Sequence, residues 1–241
     1  MKLDFENQTV LVTGATRGIG NRIANDMLAA GASVIATGTT KESLELLSED
    51  FNKFCVDFLD PDSIGKFISF LSDKKIDVCV NNAGINKISP IASIDQNDWD
   101  TIVEVNLTTP FKILKAVSTN MKRNNYGRVV NVSSIWGTIG KEQRVCYSSS
   151  KFGLMGLTVS SAAELAKYNV LINSVSPGFT LTDLTRRILG EDEIKKISKT
   201  IPMRRMADPS EISKVVMFMC SDLNSYISGQ NIIVDGGFTN V

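Results

Sequence analysis

Short runs of β-branched and aliphatic residues alternate along the chain with longer stretches in which apolar residues recur at helical spacing. Strands that alternate with helices are joined by right-handed crossovers, which produce a parallel sheet with helices on both faces. The alternation therefore predicts an α/β fold: one doubly wound domain over residues 1–241 with a seven-stranded parallel sheet. The predicted strands are Thr9–Thr13, Ser33–Thr37, Lys53–Asp57, Asp77–Val80, Arg128–Val132, Leu171–Val175 and Asn231–Val234. Helices are predicted near residues 18–30, 41–50, 61–73, 97–122, 147–168 and 209–221.

The segment 180–201 interrupts this alternation. It is charged and amphipathic, and it follows Pro177-Gly178 between a predicted strand and the last core helix. Doubly wound sheets bind ligands at the carboxyl ends of their strands, so the segment is predicted to form a mobile substrate lid there. The alternative is an ordinary surface helix.

Charge and residue types narrow the possible functions. Lysine plus arginine equals aspartate plus glutamate, 26 each, so no excess positive charge attracts nucleic acid or an anionic membrane. The chain has no histidine, which excludes a Ser-His-Asp triad and disfavours zinc, and no metal site is predicted. No apolar run approaches the length of a membrane span, and the first residues lack the apolar core of a signal peptide. We expect a cytoplasmic protein.

Four cysteines are scattered without a C-x-x-C pair. Cys55, Cys79 and Cys220 lie in apolar runs and are predicted to be small buried residues. Cys146 precedes Tyr147 and has two interpretations, a buried residue or a thiol that faces a pocket.

A glycine-rich turn follows the first predicted strand. Gly14 ends the strand, and Gly18 and Gly20 open the next helix. Glycine permits a tight turn and a close approach of the backbone to phosphate, while the helix start presents free N–H groups and a positive dipole end. Strand, turn and helix in this order predict a Rossmann-type site for a dinucleotide.

The end of the second strand bears on which dinucleotide binds. A carboxylate there usually holds the ribose hydroxyls of NAD, but Val34–Lys41 contains no acid. Arg17 and Lys41 supply positive charge, and Thr39 and Thr40 supply hydroxyls, all suited to a 2′-phosphate. NADP(H) is therefore the preferred cofactor, and NAD(H) stays possible.

Tyr147, Lys151 and Ser134 form a candidate acid–base group. Residues four apart in a helix share a face, so Tyr147 and Lys151 are predicted to lie side by side. A neighbouring ammonium, or an oxidised nicotinamide, favours the phenolate and is expected to lower the pKa of Tyr147. Tyr147 could then donate a proton to a carbonyl oxygen that Ser134 also contacts. Alternatively, the Tyr-Lys spacing is accidental and Ser134 only caps a helix.

Taken together, these motifs resemble those of the short-chain dehydrogenase/reductase family in its single-domain Rossmann form, over nearly the whole chain. Thr13–Gly20 matches T-G-x-x-x-G-x-G, and Asn81-Asn82-Ala83-Gly84 matches N-N-A-G. Tyr147 with Lys151 matches Y-x-x-x-K, and Ser134 and Asn106 match the other two members of a catalytic tetrad. Pro177-Gly178-Phe179-Thr180 matches the loop that covers the nicotinamide.

The resemblance implies roles for individual residues. Lys151 would bind the nicotinamide ribose and tune Tyr147, and Asn106 would hold a water that links Lys151 to solvent. The catalytic residues implied are Asn106, Ser134, Tyr147 and Lys151. The cofactor-binding residues predicted are Gly14, Thr16, Arg17, Gly18, Ile19, Gly20, Thr39, Asp57, Phe58, Asn82, Ala83, Gly84, Tyr147, Lys151, Pro177, Gly178 and Thr180.

Within that family the chain is most similar to the bacterial 3-oxoacyl-[acyl-carrier-protein] reductases. This likeness implies a homotetramer, with one interface on the helices near 97–122 and 147–168 and another on the last strand. The sequence differs from those reductases at Asn125 and Tyr168, where basic residues that dock an acidic carrier protein are expected. Lys122, Arg123 and Lys167 are adjacent in sequence.

Three functions follow from the sequence. The leading hypothesis is an NADPH-dependent ketoreductase that acts on a 3-oxoacyl thioester, possibly held on acyl carrier protein. The second keeps the chemistry but has a sugar, polyol or other small ketone as substrate. The third is a non-catalytic NADP-binding regulator. The predicted substrate pocket consists of Ser134, Trp136, Gln143, Arg144 and Tyr147; polar side chains of this loop that face the pocket favour the second hypothesis, and the alternative is that several face solvent.

Overall fold

The computed structural model describes residues 3–241. Its strands are β1 (Thr9–Val12), β2 (Ser33–Gly38), β3 (Asn52–Cys55), β4 (Val78–Asn81), β5 (Gly127–Val132), β6 (Val170–Pro177) and β7 (Asn231–Val234). They form one sheet in the order β3-β2-β1-β4-β5-β6-β7, and every neighbouring pair is parallel. The seven-stranded parallel sheet is confirmed. The strand order reverses direction between β1 and β4, which is where such sheets form a ligand crevice.

Helices cover both faces of the sheet. They are α1 (Gly18–Ala29), α2 (Lys41–Glu45), α3 (Pro61–Ser72), α4 (Gln96–Val103), α5 (Thr109–Arg123), α6 (Val145–Leu165), α7 (Asp183–Thr200) and α8 (Pro209–Cys220). Val10 and Val12 of β1 point to the layer that contains α1 and α8, whereas Leu11 points to the layer of α3, α5 and α6. This two-residue alternation is what a strand buried on both faces requires.

The predicted helix 41–50 is shorter than expected. Thr40 caps α2 by accepting from the Ser43 amide, but the helix ends at Glu45. The Ser48 side chain then accepts from the Asp50 amide in a turn that leads to β3. Serine and aspartate compete for backbone hydrogen bonds in this way, which ends helices early.

The predicted helix 97–122 contains an irregularity that the sequence pattern did not reveal. Residues Glu104–Thr108 form a π-helical turn between α4 and α5. Pro110, at the start of α5, has no amide hydrogen and would clash with the carbonyl of Asn106, four residues earlier, in a regular α-helix. The turn widens at that point, as π-turns do at many functional sites.

One cysteine prediction is wrong. Cys55 is exposed because β3 is the edge strand of the sheet. Cys79 and Cys220 are buried as predicted. Cys146 is also buried, which favours its interpretation as a packed residue rather than a pocket thiol.

The predicted lid segment holds α7, which has no buried residue and is kinked at Gly190. Its base is anchored: the amide of Leu181 donates to Ala207 O at 2.8 Å, and the amide of Ala207 donates to Phe179 O at 2.9 Å. Whether α7 moves as a lid stays a prediction. Within residues 3–241, no helix combines the length and apolar character needed to cross a bilayer.

Candidate active site

The glycine turn lies at the carboxyl end of β1, beside the point where the strand order reverses. Gly14 has a φ of +63°, and a Cβ there would approach Ala83 Cα to 2.9 Å. A Cβ on Gly20 would lie 2.3 Å from Gly14 O and 2.2 Å from Asn82 Nδ2. These two positions exclude a side chain, so only glycine lets the turn pack this closely against the residues after β4 at the start of α1.

The amino terminus of α1 is left open to a ligand. Side chains cap α2, α3, α4, α7 and α8, but Arg17 gives α1 no side-chain cap, and the first turn of α1 holds no acid. Within residues 3–241, no acceptor pairs with the amides of Gly18, Ile19 and Gly20. Free amides and a positive dipole end fit a pyrophosphate.

The end of β2 matches the expectation for a 2′-phosphate. Arg17, Thr39 and Lys41 are all exposed there, and no ion pair within residues 3–241 involves either cation. Thr40 is occupied as the cap of α2. The nearby Glu42 hydrogen-bonds its own amide and Thr40, which lowers the pKa of that carboxyl.

Asn82 joins the ends of β4 and β1. Its Nδ2 donates to Thr13 O at 2.9 Å and to Gly14 O at 3.1 Å, and Thr13 Oγ1 accepts from the amides of Asn82 and Ala83. Gly84 follows at the catalytic side, where a Cβ would lie 3.5 Å from Lys151 Nζ. Asn82–Gly84 thus connects the glycine turn to the candidate catalytic residues.

Four other predicted cofactor positions lie on two loops. Asp57 accepts from the Leu59 amide after β3, and Phe58 is buried in the core. Gly178 follows β6, packed so closely on Asp235 that a Cβ would lie 2.8 Å from its Cα. Thr180 is buried and donates to Gly178 O at 3.2 Å. The methyl group of Thr182 lies 3.3 Å from the Cβ position of Gly18, so the base of the predicted lid borders the glycine turn.

Tyr147 and Lys151 lie together on α6, as their spacing predicts. Lys151 Nζ is 5.7 Å from the centroid of the Tyr147 ring and donates to Val132 O at 2.8 Å. The lysine is 3% exposed. Val132 ends β5 and was not among the predicted site residues, because a backbone acceptor leaves no mark in the sequence.

Burial dominates the acid–base properties of this pair. Desolvation lowers the pKa of Lys151 to about 8. The pKa of Tyr147 is raised by burial, and the Ser134 hydroxyl and the Arg144 guanidinium oppose that rise without cancelling it. The expectation that the Lys151 ammonium lowers the pKa of Tyr147 is therefore not met in this structure: burial raises that pKa, and the cation that opposes the rise is Arg144.

Asn106 is fully buried in the π-turn. Its Nδ2 donates to Ile85 O at 2.9 Å and to Ser150 Oγ at 3.1 Å, and its Oδ1 accepts from the Ile85 amide at 2.9 Å. Ser150 also donates to Tyr147 O. Both amide hydrogens of Asn106 are used, so this side chain holds the loop after β4 against the catalytic helix.

Ser134 and Trp136 border the catalytic residues. Ser134 caps a short 3₁₀ turn by accepting from the Trp136 amide, and it also contacts Tyr147, so it is more than a cap; its contact with a substrate oxygen stays a prediction. The Trp136 ring meets Phe179 and Phe238 edge-on, with centroids 6.2 and 6.0 Å away. Three separate loops contribute these rings, and the sequence had not indicated Phe238.

In the polar loop before Tyr147, some side chains are exposed to solvent and one lies at the candidate active site. Lys141, Glu142 and Gln143 are exposed, and Gln143 sits in a left-handed conformation with φ of +61°. Arg144 is partly buried beside Tyr147. Gln143 is therefore solvated in this structure, whereas Arg144 and Trp136 are partly buried next to Tyr147 and Phe179, respectively. No group of three or more potential metal ligands occurs within residues 3–241.

The chain is similar in sequence and in structure to known proteins. Residues 14–239 match a family profile described as enoyl-(acyl carrier protein) reductase. The 3-oxoacyl-[acyl-carrier-protein] reductase FabG of Aquifex aeolicus is 40% identical, over 98% of this chain and 99% of the relative. A candidate NAD(P) dependent gluconate 5-dehydrogenase from Beutenbergia cavernae, with bound NADP, superposes over all of both chains with a TM-score of 0.94 and 30% identity. A candidate 2-deoxy-D-gluconate 3-dehydrogenase from Agrobacterium tumefaciens, also with NADP, gives 0.90 and 30% over 100% of this chain and 99% of that chain.

Proposed function

Because the chain belongs to the short-chain dehydrogenase/reductase family, and so is an NAD(P)-dependent oxidoreductase acting on CH–OH or C=O groups, we propose that it reduces a ketone to a secondary alcohol with NADPH. The observation that carries the proposal is the meeting of two features at one edge of the sheet. An uncapped, acid-free helix start lies beside β1, and a tyrosine paired with a buried lysine lies beside β5.

The cofactor site fits NADP(H). The turn Gly14–Gly20 with Thr16 and Ile19 would hold the pyrophosphate, and Arg17 with Thr39 would hold the 2′-phosphate. Asp57 and Phe58 would flank the adenine, and Asn82–Gly84 would support the centre of the cofactor. Pro177, Gly178 and Thr180 would border the nicotinamide. The bound NADP of two structural relatives supports this preference.

The chain's own residues supply the proton chemistry. Bound NADPH would supply a hydride to the carbonyl carbon. Tyr147 donates its phenolic proton to the carbonyl oxygen, and Ser134 donates a hydrogen bond to the same oxygen as negative charge develops on it. Lys151 uses one hydrogen for Val132 O and keeps two for the cofactor ribose and for proton return. Asn106 holds the loop that positions these groups and, through its remaining acceptor, a relay water.

For the substrate, we propose a 3-oxoacyl thioester first, since the FabG relatives are named for that reaction. Positive charge for an acidic carrier protein is present although Asn125 and Tyr168 replace the expected basic residues. The ammonium groups of Lys122 and Lys167 each lie 5.2 Å from the Tyr168 ring centroid. This arrangement concentrates two cations around Tyr168.

A polar ketone of the sugar or polyol type is the second candidate. Two observations favour it: the structural relatives named as gluconate dehydrogenases, and the partly buried Arg144 beside the reacting phenol. An apolar acyl chain makes no hydrogen bond with a guanidinium at that place, whereas polar groups of a substrate accept hydrogen bonds from it.

The test is NADPH oxidation, followed by absorbance, with acetoacetyl thioester on carrier protein and on coenzyme A, and with keto sugars in parallel. Turnover that depends on the carrier supports the thioester, and turnover of the sugars alone supports the second candidate. Tyr147→Phe is the matched variant, since it removes only the hydroxyl. We expect it to lower kcat at least about 100-fold on every substrate. Survival of turnover in this variant would disprove the mechanism.

A further inference from the structure

Arg144 is the cation closest in sequence to the reacting phenol. It lies three residues before Tyr147, at the amino-terminal boundary of α6. Arg144 is the N-cap residue of α6 and Tyr147 is the third residue of that helix, two positions whose side chains lie within reach of each other. Burial lowers the pKa of the Arg144 guanidinium, and the neighbouring Tyr147 opposes that fall. Within residues 3–241, no carboxylate forms an ion pair with it.

The lysines on the loops near Arg144 are either stacked on a ring or paired with a carboxylate. Lys141 of the same loop lies over the Trp136 ring, 5.4 Å from its centroid. Lys87, on the loop after β4, pairs with Asp98 at 2.6 Å. Glu142 is exposed and leaves Arg144 unpaired. Arg144 is therefore the cation of this region whose charge is neither paired nor stacked.

The backbone around Arg144 adds to the positive potential. Its carbonyl accepts from the Ser148 amide at 2.7 Å, which places the residue on the first turn of α6. That turn has no side-chain cap and no acidic residue. A long helix presents partial positive charge at such an end, and a partly buried, unpaired guanidinium beside it is unfavourable until an anion arrives.

We propose that Arg144 forms an anion subsite next to Tyr147, and that this subsite selects, among the polar ketones of the second candidate class, those with a negatively charged group close to the reacting carbonyl. This inference rests on the proposed function, because it takes Tyr147 as the group that contacts the carbonyl oxygen. A carboxylate matches the planar, two-donor face of a guanidinium. The substrate class that this subsite favours is therefore oxo acids and their hydroxy-acid products, sugar acids included, and a 3-oxoacyl thioester would gain nothing from it.

The test compares two ketones that differ only in charge. Acetoacetate carries a carboxylate beside the reacting carbonyl, and methyl acetoacetate is its neutral ester. The ratio of kcat/KM for the acid to that for the ester is measured in the wild type, in Arg144→Gln and in Arg144→Lys. Lys141→Gln is the matched control, because it removes a positive charge from the same loop.

We expect the acid-to-ester ratio to fall roughly 10-fold to 100-fold in Arg144→Gln, the range expected for one charge-assisted hydrogen bond. Arg144→Lys should recover part of the ratio, and Lys141→Gln should leave it within about threefold of the wild type. An unchanged ratio in Arg144→Gln overturns the proposal. An equal loss on both substrates also overturns it, since that result means that Arg144 acts only on the phenol.

Calorimetry separates the subsite from the reaction. The NADPH-loaded protein, in which an alcohol cannot react, is titrated with 3-hydroxybutyrate and with its methyl ester. Tighter binding of the acid that is lost in Arg144→Gln supports the subsite even if no ketone is turned over, in which case the proposed reaction alone fails. Equal binding of acid and ester refutes the subsite while the reaction stands.

Discussion

Lys151 is the residue at which function and stability oppose each other. Its ammonium is almost completely removed from solvent and makes one hydrogen bond, to Val132 O. Desolvation lowers its pKa from 10.5 to about 8. A displacement of that size corresponds to a cost of about 3 kcal/mol in the free energy of unfolding at neutral pH. In the proposed mechanism this charge is needed, because Lys151 binds the cofactor ribose and returns the proton.

Lys151→Met should therefore stabilise the protein while it abolishes turnover. We expect a gain of about 1–3 kcal/mol at pH 7, reduced by the lost hydrogen bond. The sign follows from the lowered pKa: the cost is fully present below pH 8, decreases as pH rises towards 10.5 and is absent above it. Urea unfolding of both proteins at neutral and alkaline pH measures the difference.

Lys66→Met is the control for this prediction. Lys66 is exposed on α3, so the same substitution removes a charge that water already solvates. Its effect should stay within about 0.5 kcal/mol at every pH. If the gain of Lys151→Met does not shrink at alkaline pH, burial of the charge is not its cause.

At the scale of elements, the site depends on two distortions of regular helices. The π-turn between α4 and α5 holds Asn106, whose hydrogen bonds connect the loop after β4 to α6. α1 begins at Gly18, which has a φ of +57°, and its Gly20 packs against the Gly14 carbonyl and the Asn82 side chain. In both places a helix departs from its usual pattern so that backbone or polar groups reach the site.

Gly20→Ala should destabilise the protein, whereas Gly65→Ala should stabilise it. The new methyl group at position 20 would lie 2.3 Å from a backbone oxygen, but nothing lies within 4 Å of the Cβ position of Gly65 on α3. We expect a loss of about 1–3 kcal/mol or more for Gly20→Ala. Gly65→Ala should gain about 0.5–1 kcal/mol from helix propensity. Equal unfolding midpoints in urea would contradict this account of the turn.

At the scale of the whole molecule, exposed apolar side chains lie where the homotetramer interface is predicted. Phe111 on α5 is 49% exposed, and Phe152 and Val159 on α6 are 48% and 45% exposed. Large apolar residues grouped in this way on a surface are typical of protein contacts. The predicted assembly of four chains uses this surface and a second one on β7.

Phe152→Glu should therefore break one of the two interfaces. Light scattering on a sizing column should give four chains for the wild type and two for the variant, because the buried carboxylates would repel one another in an apolar contact. Leu46→Glu, at a side chain that is 87% exposed beyond α2, is the control and should leave four chains. A wild type that elutes as a single chain disproves the assembly.

The alternation of apolar runs was enough to predict the seven parallel strands, since strand and helix periodicities are local properties. The spacing of the glycines predicted that Gly14, Gly18 and Gly20 lie in one turn. The spacing of Tyr147 and Lys151 predicted that these two side chains lie on one face of a helix. These relations depend on neighbours in the chain, so the sequence by itself determines them.

Tertiary structure decided what depends on distant residues. Cys55 is exposed because β3 lies at the edge of the sheet, and strand order is not a local property. The partner of Lys151 is a carbonyl on another element, and its lowered pKa comes from packing around it. Arg144 appeared in the sequence as one of several polar loop residues, and only folding left it beside Tyr147 while Gln143 faces solvent. Burial and electrostatic interactions act through space, so the exposure and the pKa of these side chains follow only from the complete fold.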